Sequence, residues 1–356
     1  MANERVTLFL GGTSSERDVS LASGVRIAKA LREKGYAVSL VDPAYGPMSS
    51  DAENALLSGK VVQTTPPSRE ELDKLARESL PKLVQNIPLP HQTDAVFLGL
   101  HGGYGEDGTI QALLDVVGTP YTGSGHLASA IALDKDVSKQ LFRYSGVPTA
   151  DWITVGRMEW KQLRAASERQ QRETLDGWIK RINLPLIVKP PKEGSTVGLS
   201  VVKKAAELPA AIDEAFRYDD EVMLEVFIPG RELTVAILGG EALPPGEIIP
   251  KHEIYDYECK YTPGMAVEEF PAKLTKAQTQ KLQDIARRAF AALKLRGCAR
   301  IDFRLSSKDG EFYCLEANTL PGMTGTSLVP QAAAAAGIDF PDLCDRIARL
   351  ALERSV

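Results

Sequence analysis

The chain has 356 residues, 44% of them hydrophobic and 25% charged, with a formal net charge of −5. That length exceeds what one ordinary core organises and predicts two or three domains of a globular protein, while the acidic balance excludes a general nucleic-acid binder. No apolar run approaches the ~20 residues that span a bilayer, and the polar start MANERVTLFLGG is not a secretory signal, so a cytoplasmic protein without membrane partners is expected. Cys259, Cys298, Cys314 and Cys344 are far apart and form no C-x-x-C pair. Reduced, partly buried thiols are expected, rather than a zinc site or a disulfide framework.

Val6 to Leu10 reads as a short strand running into Gly-Gly-Thr-Ser-Ser-Glu16-Arg, then a helix from about Val19 to near Gly35, then a strand from Ala37 to Val41 ending at Asp42. This βαβ opening puts Glu16 beyond the carboxyl end of a strand, where open α/β sheets hold ligands. Asp42 stands where a ribose-binding acid would, but GGTSSE is not G-x-G-x-x-G, and the dinucleotide reading is weak. Ala44 to Thr93 is expected to be a surface elaboration around a helical run, Arg69 to Gln85, capped by Ser68 with Glu71 three residues on.

Ala95 to Leu100 reads as a buried strand ending in His101-Gly-Gly-Tyr-Gly-Glu-Asp-Gly, followed by a helix with Ile110, Leu113, Leu114 and Val117 on one face. His101 is either a ligand contact or a histidine bonded to loop backbone. A further helix carries Ala128, Ile131 and Ala132 inward, and the Lys135 that follows is read as a solvated charge. Trp160 to Lys180 reads as one exposed helix without chemistry. Leu184 to Lys189 is an apolar strand delivering Lys189 to Pro-Pro-Lys-Glu-Gly-Ser-Thr, which is either a phosphate clamp or an ordinary turn. No Walker loop exists anywhere in the chain.

Val222 to Ile228 and Glu232 to Leu238 are expected to form a hairpin around Pro229-Gly230. Glu225 and Glu232 interrupt these apolar strands, either as edge charges or as partners for an adenine amino group or a ribose hydroxyl. Glu247 to Phe270, with Tyr255, Tyr257, Lys260 and Tyr261, is long for a structureless loop and reads as a lid or a binding loop. Thr275 to Gln278 is a capping box opening a core helix.

Cys298 to Leu328 reads as a second hairpin. Pairing Leu305 with Glu311 across a five-residue turn sets Arg300 opposite Glu316 with Asp302 on the diagonal, and gathers Asn318 on the same face. Two carboxylates and an amide oxygen are hard ligands that suit Mg²⁺, the bland alternative being a solvated face with an Arg–Glu pair. The following loop, TLPGMTGTS, offers backbone amides and hydroxyls to an anion.

Several spaced segments then agree in order: GGTSSERDVSLASG, LHGGYGEDG, PYTGSG, LDK, IVKPPKEGSTVG, YDYECKY, and ARID with LEANTLPGMT and SLVP. Together they resemble the D-alanine–D-alanine ligases of the ATP-grasp superfamily over nearly the whole chain, except about residues 44–93. The resemblance implies a mixed α/β fold in three domains, 1–121, 122–218 and 219–356, the first an open α/β domain and the others clamping ATP.

Carried over by position, it implies ATP contacts from Lys135, Lys189, Glu225, Phe227, Glu232 and Lys260. Asp302, Glu316 and Asn318 would hold two Mg²⁺ ions, or Mn²⁺. Glu16 would hold the ammonium of the first D-alanine, linked through Ser195 to Tyr261, and His101 would approach the same molecule. Arg300 and the Gly322 amide would stabilise the oxyanion, while Ser327 and Leu328 would hold the second D-alanine. A homodimer serving peptidoglycan synthesis is implied. A D-alanine–D-lactate ligase, an ATP-binding regulatory module without turnover and a nicotinamide-dependent oxidoreductase are the competing readings.

Overall fold

The structure is a computed structural model, and it describes residues 4–14, 16–59, 77, 81–194, 196–252 and 264–353. The expected positions Ser195, Lys260 and Tyr261, the thiol of Cys259 and most of the 69–85 run lie outside the described residues.

The first sheet opens with β1 (Arg5–Phe9), followed by helix α1 (Arg17–Glu33), β2 (Ala37–Asp42), β3 (Gly46–Pro47), helix α2 (Ser50–Leu57) and β4 (Ala95–Leu98). Its order is β3-β2-β1-β4, with β1 parallel to both neighbours. The buried face of α1, including Ile27, Ala28 and Leu31, packs into one core with Leu343, Cys344 and Ile347 from the end of the chain. Each such large aliphatic side chain contributes ~1.5–3 kcal/mol by leaving water. The 44–93 segment is more than a surface addition: Leu56, Leu83 and Ile87 are buried in this region's cores.

Helices α3 (Thr109–Val117), α4 (His126–Leu133) and α5 (Lys135–Tyr144) lead to β5 (Trp152–Gly156). The expected single helix from Trp160 is two, α6 (Arg157–Ala165) and α7 (Glu168–Ile182). Ser167 accepts from the Gln170 amide and Gln170 answers with a bond to the Ser167 amide, so a second capping box starts a new helix. Strands β6 (Leu186–Lys189) and β7 (Ser200–Val202), helix α8 (Leu208–Ala215) and β8 (Glu221–Val226) complete a sheet of order β5-β8-β6-β7.

The third sheet contains β9 (Gly230–Leu238), β10 (Glu241–Ala242), β11 (Gly246–Pro250), β12 (Ala266–Glu269), β13 (Cys298–Ser306) and β14 (Phe312–Asn318). Its main order is β12-β11-β9-β13-β14. The hairpin expected around Pro229-Gly230 therefore does not form: β8 hydrogen-bonds within the second sheet and β9 within the third. Gly230, with φ of 140°, turns the chain where an added Cβ would sit 2.0 Å from the Leu305 carbonyl. The expected lid begins and ends as sheet, because Gly246–Pro250 pairs antiparallel with Ala266–Glu269. Helix α9 (Lys276–Ala292) starts at the Thr275–Gln278 box and packs on this sheet, and helices α10 (Leu328–Ala335) and α11 (Phe340–Leu352) end the fold.

The β13–β14 hairpin forms with a corrected register. Leu305 faces Phe312 rather than Glu311, and an irregularity between Asp302 and Phe303 leaves Leu315 without a partner. Asp302 consequently stands opposite Glu316, and Arg300 opposite Asn318 rather than Glu316. The two one-residue slips add to an even number, so side chains expected on one face stay on it. Among the described residues no helix is long and apolar enough to cross a membrane.

Candidate active site

A cleft of about 870 Å³, counting the part open to solvent, lies between the second and third sheets. Part of its lining is apolar, from Ile187, Leu199, Val226, Phe227, Ile228 and Leu315, a setting for a flat, poorly hydrated ring. Glu232 at its rim pairs with Arg304 at 3.0 Å, and Arg304 also donates to the Ile228 carbonyl at 3.1 Å.

The rest of the lining is largely polar or charged. Lys135, a solvated charge by its local sequence and an ATP contact by the resemblance, is only 7% exposed, donates to the Glu193 carbonyl at 2.9 Å and lies 3.1 Å from Glu316. Lys189, at the end of β6, forms an ion pair with the buried Glu225 of β8, because Ile187 and Lys189 of one strand register against Glu225 and Met223 of the next. Burial raises the Glu225 pKa, but Lys139 and then Lys189 outweigh that and hold it at about 2. Thr196, which lines the cleft, has φ of 66°, an uncommon conformation for a β-branched residue.

On the β13–β14 face, Arg300 makes a forked contact to Asp302 at 2.8 and 2.9 Å, Thr234 donates to Asp302 at 2.7 Å and Asn318 donates to it at 2.9 Å. Among the described residues no group of three or more His, Cys, Asp or Glu gathers as a metal site. The donors available to a divalent ion are thus the Asp302 and Glu316 carboxylates with the Asn318 amide oxygen. That hard set fits an ion completing its shell with water and phosphate oxygens.

Glu16 stands at the start of α1 without a side-chain capping bond and extends towards two loops at once. Its Oε2 lies 3.2 Å from where a Cβ on Gly102 would be and 3.3 Å from one on Gly194, so it comes close to both glycines. The carboxylate thus lies near both the loop after β4 and the loop after β6.

His101 is buried with both ring nitrogens engaged. Nδ1 contacts the Leu320 carbonyl at 2.9 Å and Nε2 contacts Ser23 Oγ at 3.0 Å. A carbonyl only accepts, so Nδ1 carries the proton and Nε2 accepts from Ser23, whose oxygen accepts the Met323 N–H at 3.1 Å. Burial lowers the pKa of this ring and keeps it neutral. Arg26 donates to the Met323 carbonyl at 2.9 Å, and Glu106 accepts from the Leu320 and Gly102 amides at 3.3 and 3.1 Å. Four side chains of the first unit thus grip the backbone on either side of Gly322. A Cβ on Gly322 would lie 2.7 Å from Ser327 Oγ, so a side chain there would require that hydroxyl to move. Ser327 accepts from the Thr324 amide at 2.9 Å and precedes α10, whose free amides favour an anion near Leu328.

Sequence reasoning missed Ser23, Arg26, Glu106, Lys139, Thr234 and Arg304. Some signal existed: Ser23 is two turns from Glu16 along α1, and Lys139 one turn from Lys135 along α5. Arg304, Arg26 and Thr234 join only through tertiary contacts.

The two halves of the chain match family models described as D-ala D-ala ligase N-terminus, over residues 5–124, and D-ala D-ala ligase C-terminus, over residues 141–349. The chain is 39% identical over 354 residues to the D-alanine--D-alanine ligase of Pelotomaculum thermopropionicum, covering 98% of this chain and 97% of that one. It is 38% identical over 352 residues to the D-alanine--D-alanine ligase of Carboxydothermus hydrogenoformans, covering 98% of each. In structure it is similar to the D-alanine-D-alanine ligase from Coxiella burnetii, with a TM-score of 0.77 at 29% identity, covering 99% of this chain and 95% of that one. With family models spanning most of its length and relatives aligned from end to end, the chain belongs to the D-alanine–D-alanine ligase family.

Proposed function

We propose that this protein joins two D-alanine molecules to D-alanyl-D-alanine with conversion of ATP to ADP and phosphate, supplying a peptidoglycan precursor. Family membership carries the use of ATP and a divalent metal. The observation that supports the reading most is the cleft itself: apolar side chains and two lysines line one slot, and Glu316 of the β13–β14 hairpin lies 3.1 Å from Lys135 in it.

Phe227 and its apolar neighbours would flank adenine, Glu225 and Glu232 would address its amino group and the ribose, and Lys135, Lys189 and Lys260 would bind phosphates. Asp302, Glu316 and Asn318 would hold two Mg²⁺ ions, with Mn²⁺ a substitute; when bound, they neutralise charge on the transferred phosphoryl group. By the resemblance, Glu16 would anchor the ammonium of the first D-alanine in a link through Ser195 to Tyr261, and His101 would approach the same molecule. The carboxylate of that D-alanine attacks the γ-phosphoryl group, releasing ADP and forming an acylphosphate. The free amine of the second D-alanine, held near Ser327 and Leu328, attacks the acyl carbon. Arg300 and the Gly322 amide stabilise the resulting oxyanion until phosphate departs. Tyr261 in YDYECKY favours D-alanine over D-lactate as acceptor.

The units we propose run to about residue 121, to about 218 and onward to 356. The hydrogen bonding of β8 within the second sheet supports moving the second boundary just beyond Val226. A homodimer in the cytoplasm completes the reading. Its test is phosphate release from MgATP with D-alanine, L-alanine or no amino acid, with products weighed by mass spectrometry. Release that requires D-alanine and a dipeptide mass are expected; release without dipeptide, or an ester when D-lactate competes with D-alanine, would overturn the assignment.

A further inference from the structure

Lys139 takes no part in the mechanism above, yet it is fully buried directly behind the cleft. Its Nζ donates to Thr149 Oγ1 at 2.8 Å and forms an ion pair with one oxygen of Glu225, while Lys189 pairs with the other oxygen. The Thr149 hydroxyl donates in turn to the Cys314 carbonyl at 2.7 Å, and the Trp152 ring lies 5.0 Å from the ammonium. Lys139 is therefore fixed between β14 and β5. Lys189, by contrast, lines the cleft and faces whatever enters it.

One carboxylate with two ammonium groups is an asymmetric arrangement, because only one of the two can reach a ligand. We propose that Lys139 is a positioning residue that neutralises Glu225 from behind and so leaves Lys189 free to move onto the phosphates of the nucleotide. This rests on reading the cleft as the ATP site. When Lys189 turns to an anionic ligand, Glu225 keeps a partner in Lys139. Without Lys139 the same movement would leave a buried carboxylate with no counter-ion, one of the least favourable arrangements in a protein interior. The lysine in the back wall thus sets how much of the charge of Lys189 the nucleotide receives.

The test compares Lys139→Met, Glu225→Gln and the double variant with the unmodified protein, by calorimetric titration with ATP and with adenosine, which lacks phosphates. Lys139→Met should weaken ATP ~10–100-fold and leave adenosine within about twofold. In turnover, the KM for ATP should rise by a similar factor while kcat stays within about threefold. The double variant should bind ATP as Glu225→Gln alone does, because the carboxylate that needed the second lysine is gone. Equal weakening of ATP and adenosine would mean simple collapse of the wall, and an unchanged ATP affinity would mean Lys189 is free without help; either overturns the proposal. Should Lys139→Met not fold, the double variant strands no charge and carries the comparison: ATP affinity equal to Glu225→Gln supports the proposal, and a further loss of about tenfold overturns it. An unmodified protein that binds no ATP would instead remove the functional reading, and this inference with it.

Discussion

The imidazole of His101 and the carbonyl of Leu320, 219 positions apart in the chain, meet at 2.9 Å. Through that bond and the Ser23 hydroxyl behind it, the first unit of the protein sets the backbone that carries Gly322. Ser23→Ala removes the donor to Nε2 and the acceptor for Met323 N–H together. Loss of buried partners of this kind costs about 1–3 kcal/mol, so a loss of ~10-fold or more in kcat is expected as the loop loosens. The KM for ATP, whose proposed cleft this loop does not line, should stay within about twofold. Steady-state kinetics with ATP and D-alanine varied separately would decide it; an ATP effect with no change in kcat would contradict the loop role.

Arg300 lies against Asp302 at 2.8 Å and shares a sheet face with Asn318. If it stabilises the oxyanion, Arg300→Ala should lower turnover ~10²–10³-fold. ATP should still bind. Parallel phosphate-release and nucleotide-titration measurements would check both, and near-normal turnover would remove the assignment.

Glu106 has a pKa pushed up to about 8, first by its removal from water and then by the charge of Glu16. Its folded-state value lies above the unfolded one, so between about pH 5 and pH 8 the folded protein holds a proton that the unfolded chain has released. Stability from this group is present at low pH and lost as pH rises through the folded value. Thermal melting should therefore show a fall in stability from pH 6 to pH 9, and Glu106→Gln should flatten that slope. The amide places an NH₂ group against one of the two backbone N–H donors and lowers stability throughout, so the slope rather than the level reports the titration. An unchanged slope would show that Glu106 does not titrate there.

Burial pushes the Cys298 thiol up to about 12, and raises Cys314 and Cys344 as well. Thiolate is the reactive form, so none of the three should be alkylated by iodoacetamide in the folded protein at pH 8. Peptide mapping after labelling, with and without denaturant, would show this. Native labelling at Cys298 would mean that its core opens.

Much of the local structure was legible because it depends on neighbours in sequence. The Thr275 capping box, the βαβ opening and the β13–β14 hairpin follow from short-range periodicity and turn chemistry, and the structure has all three. The Trp160 to Lys180 helix failed at a local signal that was present but unread, the Ser167–Gln170 box. The hairpin expected at Pro229-Gly230 failed for a deeper reason. Two apolar strands joined by a turn look the same whether they pair with each other or separate into different sheets, and only the partners available in space decide.

The candidate site divides along the same line. From sequence alone came the residue types, their order and the face on which Arg300, Asp302, Glu316 and Asn318 gather, since strand alternation survives any even slip. Only the tertiary structure decided that Lys135 is buried against Glu193 and Glu316, that Glu225 sits between two lysines, and that His101 is bound on both sides. A side chain's charge is written in its own letter, but its counter-ion is chosen by whichever distant segment packs beside it, and burial then makes that choice binding.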